Sequence, residues 1–226
     1  YVLIKNTYKE SPLSQMFYNG AKRVHGFVNS SDMFVTLRRL VKENPDEQAC
    51  ILVYWDAIDS ISHVYGANSE AFAAEVRNLS YSLEREFIRY VDSQIAGTTL
   101  LILTADHGQV TVPENRLVRI DQHPEIKGNL LLPPTGDYRA AYLYPRQGKL
   151  DVLRSYLKEQ LSDQIVTVDS SKALNSGLWG YGDVHGKASD RIGNLVAIMR
   201  DNHAFYAPVT DKRYFKGGKH GGLTPD

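Results

Sequence analysis

The stretch LILTADHGQV, residues 101–110, decides how the rest of the chain is interpreted. Five of its first six residues are apolar or β-branched, and Asp106 and His107 then stand side by side before Gly108. A short apolar run bounded by turn-forming residues is typical of a strand buried on both faces. We therefore predict a buried strand over residues 98–105 that ends in an acid and an imidazole, with Gly108 allowing a sharp turn.

A second apolar run, residues 49–55, predicts another buried strand earlier in the chain. Between the two runs, apolar residues recur every three or four positions from Ser69 to about Ile95, which predicts a long amphipathic helix. Ser69 or Asn68 would cap this helix and Gly97 would end it. Strand, helix and strand form a βαβ unit, so the predicted fold is α/β with a mostly parallel sheet flanked by helices.

Weaker patterns complete the predicted topology. A helix should start at Ser31 or Asp32 and end at residues 44–46, and residues 1–30 should be loops and short elements. Another helix is expected over residues 150–161, and strands over residues 140–144, 165–168 and 194–199. The segment KGGKHGG, residues 216–222, is rich in glycine and is predicted to be irregular. We expect one α/β domain over residues 1–226, with a small insert or subdomain at about residues 111–190.

Composition excludes several classes of protein. The chain has 226 residues and 26 basic and 26 acidic side chains, so it carries no nucleic-acid-binding signature. Its single cysteine, Cys50, opens an apolar run, is expected to be buried, and cannot form an intrachain disulfide. No apolar stretch approaches the roughly 20 residues of a membrane span. The sequence does not discriminate between a cytoplasmic and a secreted location.

Acid and histidine side chains follow both predicted strands. Asp59 and His63 lie four residues apart after the first strand, so on a helix they would face one side and share a cation. Asp106 and His107 follow the second strand, and His220 lies among glycines near residue 226. The carboxyl ends of parallel strands are where ligands gather. Asp56 is a competing ligand, but no histidine lies four residues beyond it.

Other polar residues have plainer interpretations. His185 lies in a loop that could reach a pocket, although a surface position is favoured. His25, His123 and His203 lack ligand-like neighbours and are expected to be structural or exposed. Arg139 could bind substrate or form a surface ion pair, and Arg191 is similar.

The segments YWDAIDSISHVYG, LILTADHGQV and KHGGLTPD together resemble the alkaline phosphatase superfamily, most closely its type I phosphodiesterase/nucleotide pyrophosphatase branch. The resemblance implies that Asp59, His63 and His220 hold one metal ion and that Asp106 and His107 hold a second. It implies two divalent ions, with Zn²⁺ expected and Mn²⁺ or Fe as alternatives. It also implies hydrolysis of a small-molecule phosphodiester or nucleotide substrate.

The chain departs from the family pattern in one respect. The family places a Thr or Ser nucleophile and a further Asp ligand upstream of the long helix, and residues 1–48 offer no convincing match. We therefore expect a fragment that lacks the nucleophile and is inactive alone. Alternatives are a phosphomonoesterase, mutase, sulfatase or phosphonate hydrolase of the same fold, or a non-catalytic module that retains the fold.

Overall fold

The structure is a computed structural model that describes residues 1–43, 47–207 and 217–224. Its strands are β1 Val2–Lys5, β2 Val24–Phe27, β3 Leu52–Val53, β4 Val110–Val112, β5 Leu117–Arg119, β6 Thr135–Gly136, β7 Ala140–Leu143, β8 Ile165–Asp169, β9 Leu195–Met199, β10 Ala204–Tyr206 and β11 Gly217–Lys219. Its α-helices are α1 Asn6–Lys9, α2 Pro12–Phe17, α3 Ser30–Glu43, α4 Ala57–Tyr65, α5 Glu70–Glu86, α6 Ser93–Thr98, α7 Pro124–Asn129, α8 Leu150–Gln160, α9 Ser170–Asn175 and α10 Ala188–Arg191.

The chain divides into two compact units. Unit 1 comprises Tyr1–Ile61 and Ser69–Thr104, and unit 2 comprises Ser62–Asn68 and Ala105–Asp226. The division falls inside α4, so this one continuous helix contributes residues to both units.

Unit 1 contains a parallel sheet covered by helices. β1 lies between β2 and β3 and pairs with both in parallel. Its apolar residues are buried because this central strand is covered on both faces. The predicted helix beginning near residue 31 is confirmed as α3, whereas its predicted end at residues 44–46 lies outside the described residues. The core of the unit consists of Leu3, Phe27, Met33, Phe34, Leu37, Leu40 and Phe87.

Unit 2 is built around a four-stranded sheet in the order β6-β7-β9-β8, in which all neighbours are antiparallel. The predicted strands near residues 140, 165 and 194 are confirmed as β7, β8 and β9. The predicted helix over residues 150–161 is confirmed as α8, and its Leu153 and Leu157 are fully buried in the core of the unit. Two smaller pairs complete the unit, with β10 parallel to β5 and β11 antiparallel to β4. Helices combined with parallel sheets confirm the α/β class.

The predicted strand over residues 98–105 is wrong. Its first residue ends α6, and the rest of the run is irregular chain that belongs to none of the sheets formed by the described residues. Leu100 and Leu103 are 82% and 79% exposed. An apolar run predicts burial, but a strand also needs a neighbouring strand to accept and donate its backbone hydrogen bonds.

Two further predictions in unit 1 need correction. The long helix predicted to end near Ile95 ends at Glu86 and is followed by a short 3₁₀ helix, Ile88–Tyr90. A separate helix, α6, then begins where the Asp92 carboxylate accepts hydrogen bonds from the backbone N–H groups of Gln94 and Ile95. Gly97 therefore lies inside α6. The predicted strand over residues 49–55 shortens to β3, and Cys50 is exposed rather than buried.

Within residues 1–43, 47–207 and 217–224, every helix is too short or too polar to cross a lipid bilayer.

Candidate metal centre

The site begins on α4. This helix carries Asp59 in its first turn and His63 in its last turn. Residues four apart on a helix lie one above the other, so the carboxylate and the imidazole face the same side. The sequence predicted this arrangement from spacing alone, and the structure supplies the helix that the prediction requires.

The orientation of His63 is fixed by a backbone carbonyl. Its ring Nδ1 lies 2.8 Å from the carbonyl oxygen of Gly218. Because a carbonyl can only accept, Nδ1 carries the hydrogen and the lone pair of a neutral ring is on Nε2. A histidine ligand held through its other nitrogen in this way is the usual arrangement around protein-bound metals.

Glycines allow β11 to approach α4 closely enough for this contact. A Cβ at Gly217 would lie 1.8 Å from the carbonyl oxygen of His63, and one at Gly218 would lie 2.5 Å from Oγ of Ser62. The prediction that residues 216–222 are irregular is therefore wrong for Gly217–Lys219. These residues form a strand because β4 supplies backbone partners and the missing side chains permit the contact with the helix.

Three imidazole rings converge at the end of β11. The ring of His220 lies 5.0 Å from that of His63 and 4.0 Å from that of His107, both measured between centroids, and it stacks on the latter at 24°. One ligand atom from each of Asp59, His63 and His220 lies within 4.8 Å of the others. Residues far apart in sequence thus bring together acid and imidazole groups of the kind that hold metal ions in proteins.

Asp106 is placed differently from the prediction. It lies in irregular chain before β4 rather than at the end of a buried strand, and its side chain is 67% exposed. Its Oδ1 accepts a hydrogen bond from the backbone N–H of His107 and lies 3.6 Å from Nε2 of that residue. The structure therefore brings His107 to His220 and places Asp106 beside His107.

A turn of which the sequence analysis considered only Arg139 lies beside His220. Oδ2 of Asp137, which follows β6, lies 3.4 Å from Nδ1 of His220. Lys219 is buried, and its amine lies 5.2 Å from the ring of Tyr138. Burial lowers the pKa of the Lys219 amine below its ordinary value, and the Asp137 carboxylate opposes that shift. The only sequence signal for these contacts was an Asp and an Arg in a glycine turn, TGDYR.

Asp56, the competing ligand, has a structural role. It is buried, its Oδ1 lies 3.3 Å from the Lys5 amine, and its Oδ2 accepts a hydrogen bond from the Tyr8 hydroxyl at 2.8 Å. The hydrogen bond to Asp56 raises the pKa of Tyr8. These partners assign the Asp56 carboxylate to the packing of unit 1 rather than to the cluster on α4.

The remaining candidates lie apart from the cluster. His185 is exposed and accepts a hydrogen bond from the backbone N–H of Lys187. His123 contacts the Tyr156 hydroxyl, and His203 contacts the carbonyl of Arg200. Arg191 is exposed, whereas Arg139 is 1% exposed, so the expectation of a surface ion pair at Arg139 is wrong.

The donor groups of the cluster fit a divalent transition-metal ion. Carboxylate oxygen and imidazole nitrogen are ligands of Zn²⁺, and they also accept Mn²⁺ and Fe²⁺. The hydrogen bond from Nδ1 of His63 to the Gly218 carbonyl leaves Nε2 as the nitrogen that could accept a metal ion. Asp59, His63 and His220 therefore suit a divalent transition-metal ion such as Zn²⁺.

The profile of the type I phosphodiesterase / nucleotide pyrophosphatase family matches residues 4–223, so the chain belongs to this family. The matched range includes Asp59, His63, His107 and His220.

The individual proteins that the chain resembles share low sequence identity with it. The chain is 26% identical over 100 residues to human ectonucleotide pyrophosphatase/phosphodiesterase family member 5, a match that covers 44% of this chain and 20% of that protein. The structure of the murine family member 5 in complex with AMP aligns with a TM-score of 0.60 and 18% identity, covering 88% of this chain and 51% of that one.

Phosphonoacetate hydrolase from Sinorhizobium meliloti 1021 in complex with phosphonoformate aligns with a TM-score of 0.58 and 16% identity, covering 93% of this chain and 51% of that one. At these identities the structural matches show a shared fold. The chain spans a fifth of the curated relative and about half of each of these solved structures.

Proposed function

We propose that the full-length protein is a metal-dependent hydrolase of phosphodiester or nucleotide pyrophosphate bonds. Membership of the family supports a hydrolase, and the AMP bound by the murine relative is compatible with a small nucleotide substrate. The observation that carries the proposal is the cluster of Asp59, His63 and His220, because its donor atoms lie within 4.8 Å of one another. Such a cluster of acid and imidazole suits a metal centre at which a phosphoryl group is bound.

Within this proposal, Asp59, His63 and His220 hold one Zn²⁺ ion, with Mn²⁺ or Fe as alternatives. Asp106 and His107 hold the second ion. The stacking of His107 on His220, at 4.0 Å between ring centroids, supports this arrangement because it places a proposed ligand of the second ion beside a proposed ligand of the first. When bound, the two ions would polarise the phosphoryl group and activate the nucleophile.

The phosphoryl-accepting Thr or Ser is proposed to lie outside these 226 residues. The family places it after a strand that ends in Asp, but β1 ends at Lys5 and is followed by Asn6. Thr7 follows on α1 and is exposed. The chain also spans only about half of the solved structures that it matches. We therefore propose that the 226 residues alone bind metal but do not turn over substrate.

Calorimetric titration of the chain with Zn²⁺ tests the metal centre. We expect binding at micromolar metal, weakened at least about tenfold in His63→Ala, because a neutral methyl replaces a ligand. His185→Ala is the matched control, since it removes an exposed imidazole from a loop of the same unit. Equal affinity in His63→Ala and the unchanged chain would refute the site.

Activity of the complete protein tests the reaction. We expect hydrolysis of bis-p-nitrophenyl phosphate in preference to p-nitrophenyl phosphate, with loss of activity in EDTA and in Asp106→Ala. Phosphonoacetate belongs in the same panel, because a phosphonoacetate hydrolase shares the fold. Preferred cleavage of the monoester or of the phosphonate would overturn the proposed substrate class while leaving the metal centre intact.

A further inference from the structure

Residues 137–139 follow β6 and lead into β7, and their three side chains contact residues 219–224 in turn. Asp137 lies against His220, the ring of Tyr138 lies under the Lys219 amine, and Arg139 donates a hydrogen bond to Oγ1 of Thr224 at 3.0 Å. We call residues 137–139 the clasp. All of these residues belong to unit 2.

The clasp is tightly packed against the segment that carries His220. A Cβ at Gly221, whose φ is +82°, would lie 2.9 Å from Cβ of Asp137. A Cβ at Gly222 would lie 2.5 Å from Nε of Arg139. The two glycines after His220 therefore let the backbone lie directly on the clasp side chains.

Arg139 is a buried charged residue within this contact. A guanidinium cannot lose its charge, and burying a charge is costly unless polar groups replace its water. Arg139 is 1% exposed, and its guanidinium reaches Thr224, four residues after His220. The segment after His220 therefore contacts the clasp through a buried polar group as well as through close packing.

We propose that Asp137 is a positioning residue for His220. The proposal rests on the metal-binding function proposed above. Oδ2 of Asp137 lies 3.4 Å from Nδ1 of His220, and a carboxylate at this nitrogen favours the tautomer with its hydrogen on Nδ1. The lone pair is then on Nε2, where a metal ion would bind. His63 is held in the same tautomer by the Gly218 carbonyl, so two histidines of the cluster are oriented through the same ring nitrogen.

Nitrogen-detected NMR of the histidine rings tests the tautomer in the metal-free chain. We expect the neutral ring of His220 to carry its hydrogen on Nδ1 and Asp137→Asn to increase the population of the other tautomer. A structural role alone would leave the tautomer unchanged. Asp137→Glu, which keeps the carboxylate, should restore the distribution at least in part. A ring of His220 protonated on Nε2 in the unchanged chain would overturn the proposal.

Zinc affinity provides the second readout. We expect Asp137→Asn to weaken Zn²⁺ binding about 10- to 100-fold, as loss of a carboxylate behind a metal-bound histidine typically does. Asp151→Asn is the matched control, because Asp151 pairs with Arg154 on the surface of the same unit and Asp169 remains to pair with that arginine.

The two proposals fail in different ways. If His220→Ala leaves zinc affinity unchanged, the metal centre itself is refuted. If His220→Ala weakens binding while Asp137→Asn and Asp151→Asn both remain within twofold of the unchanged chain, the metal centre stands and the role of Asp137 is refuted.

Discussion

Two aspartates three residues apart have different surroundings, and this difference separates stability from metal binding. Asp56 is buried between the Lys5 amine and the Tyr8 hydroxyl, whereas Asp59 lies on α4 with His63 one turn away. Because they are close in sequence, either aspartate could be predicted as the metal ligand. The side chains around them assign one to the packing of unit 1 and the other to the candidate metal centre.

Replacing Asp56 should therefore affect folding. We expect Asp56→Ala to lower the free energy of unfolding by about 1–3 kcal/mol, because the Lys5 amine and the Tyr8 hydroxyl lose their shared acceptor. Denaturant unfolding measures the change. Asp59→Ala serves as the comparison and should mainly reduce zinc affinity. A reversed pattern, with metal binding lost only in Asp56→Ala, would show that the ligand assignment is wrong.

His25 should make unit 1 sensitive to acid. Burial lowers the pKa of its ring, as do the nearby positive charges of Arg23 and Lys9, and its Nε2 is buried without a hydrogen-bond partner among the described residues. The unfolded chain then binds a proton more readily than the folded chain. Stability should consequently fall as pH drops below about 6.5, the ordinary pKa of histidine.

Unfolding measured between about pH 5 and pH 7 tests this effect. His25→Gln should make the acid loss of stability shallower, because the titrating ring is removed. The exposed His185 provides the control, and His185→Gln should leave the slope unchanged. An identical pH slope in His25→Gln and the unchanged chain would contradict the prediction.

At the scale of elements, the candidate site depends on how closely β11 approaches α4. A helix and a strand rarely come so near that a single Cβ would meet a backbone carbonyl, yet a Cβ at Gly217 would lie 1.8 Å from the carbonyl oxygen of His63. Because the Cβ would meet a backbone atom of α4, no flexible side chain could move aside to make room for it. Close packing against α4 therefore explains why glycine, rather than a residue with a side chain, occupies positions 217 and 218.

Adding one methyl group at this contact should separate the two elements. We expect Gly217→Ala to destabilise the fold by about 1–3 kcal/mol and to weaken zinc binding, because β11 shifts and moves His220 away from His63. Thermal unfolding and calorimetric titration measure the two effects.

Gly128→Ala is the matched control for that substitution. Gly128 lies on α7, and a Cβ built there meets no atom within 4 Å among the described residues. The same chemical change should be neutral or slightly stabilising, since alanine is favoured over glycine in helices. If the two variants behaved alike, close packing at Gly217 would not be the cause.

At the scale of the whole molecule, the most unusual surface is the apolar run after α6. Leu100, Leu101, Ile102 and Leu103 are 82%, 49%, 71% and 79% exposed. Contiguous exposed apolar residues bind apolar dyes and promote association. We expect Leu100→Lys to reduce dye fluorescence and concentration-dependent self-association, while changing the free energy of unfolding by less than about 0.5 kcal/mol.

Val152→Lys on α8 adds the same charge at an exposed valine, which is 48% exposed and lies outside this run. It should leave dye binding unchanged. A large loss of stability in Leu100→Lys would mean that Leu100 is buried in solution, contrary to the structure.

The sequence by itself determined the elements whose signals are local. Apolar residues at helical spacing predicted α3 and α8, and Ser69 predicted the start of α5. The spacing of Asp59 and His63 predicted that both lie on one face of α4. Side-chain periodicity and capping depend on residues a few positions apart, so they can be read directly from the chain.

Only the tertiary structure decided which distant residues meet. It brought His107 and His220 together, placed Asp137 beside the latter, and left residues 99–104 outside the sheets that the described residues form. Strand pairing and ring contacts depend on groups far apart in sequence, which an apolar run or a lone histidine does not specify. The sequence therefore supplied the candidate ligands, whereas long-range packing determined how they are arranged and what holds them in place.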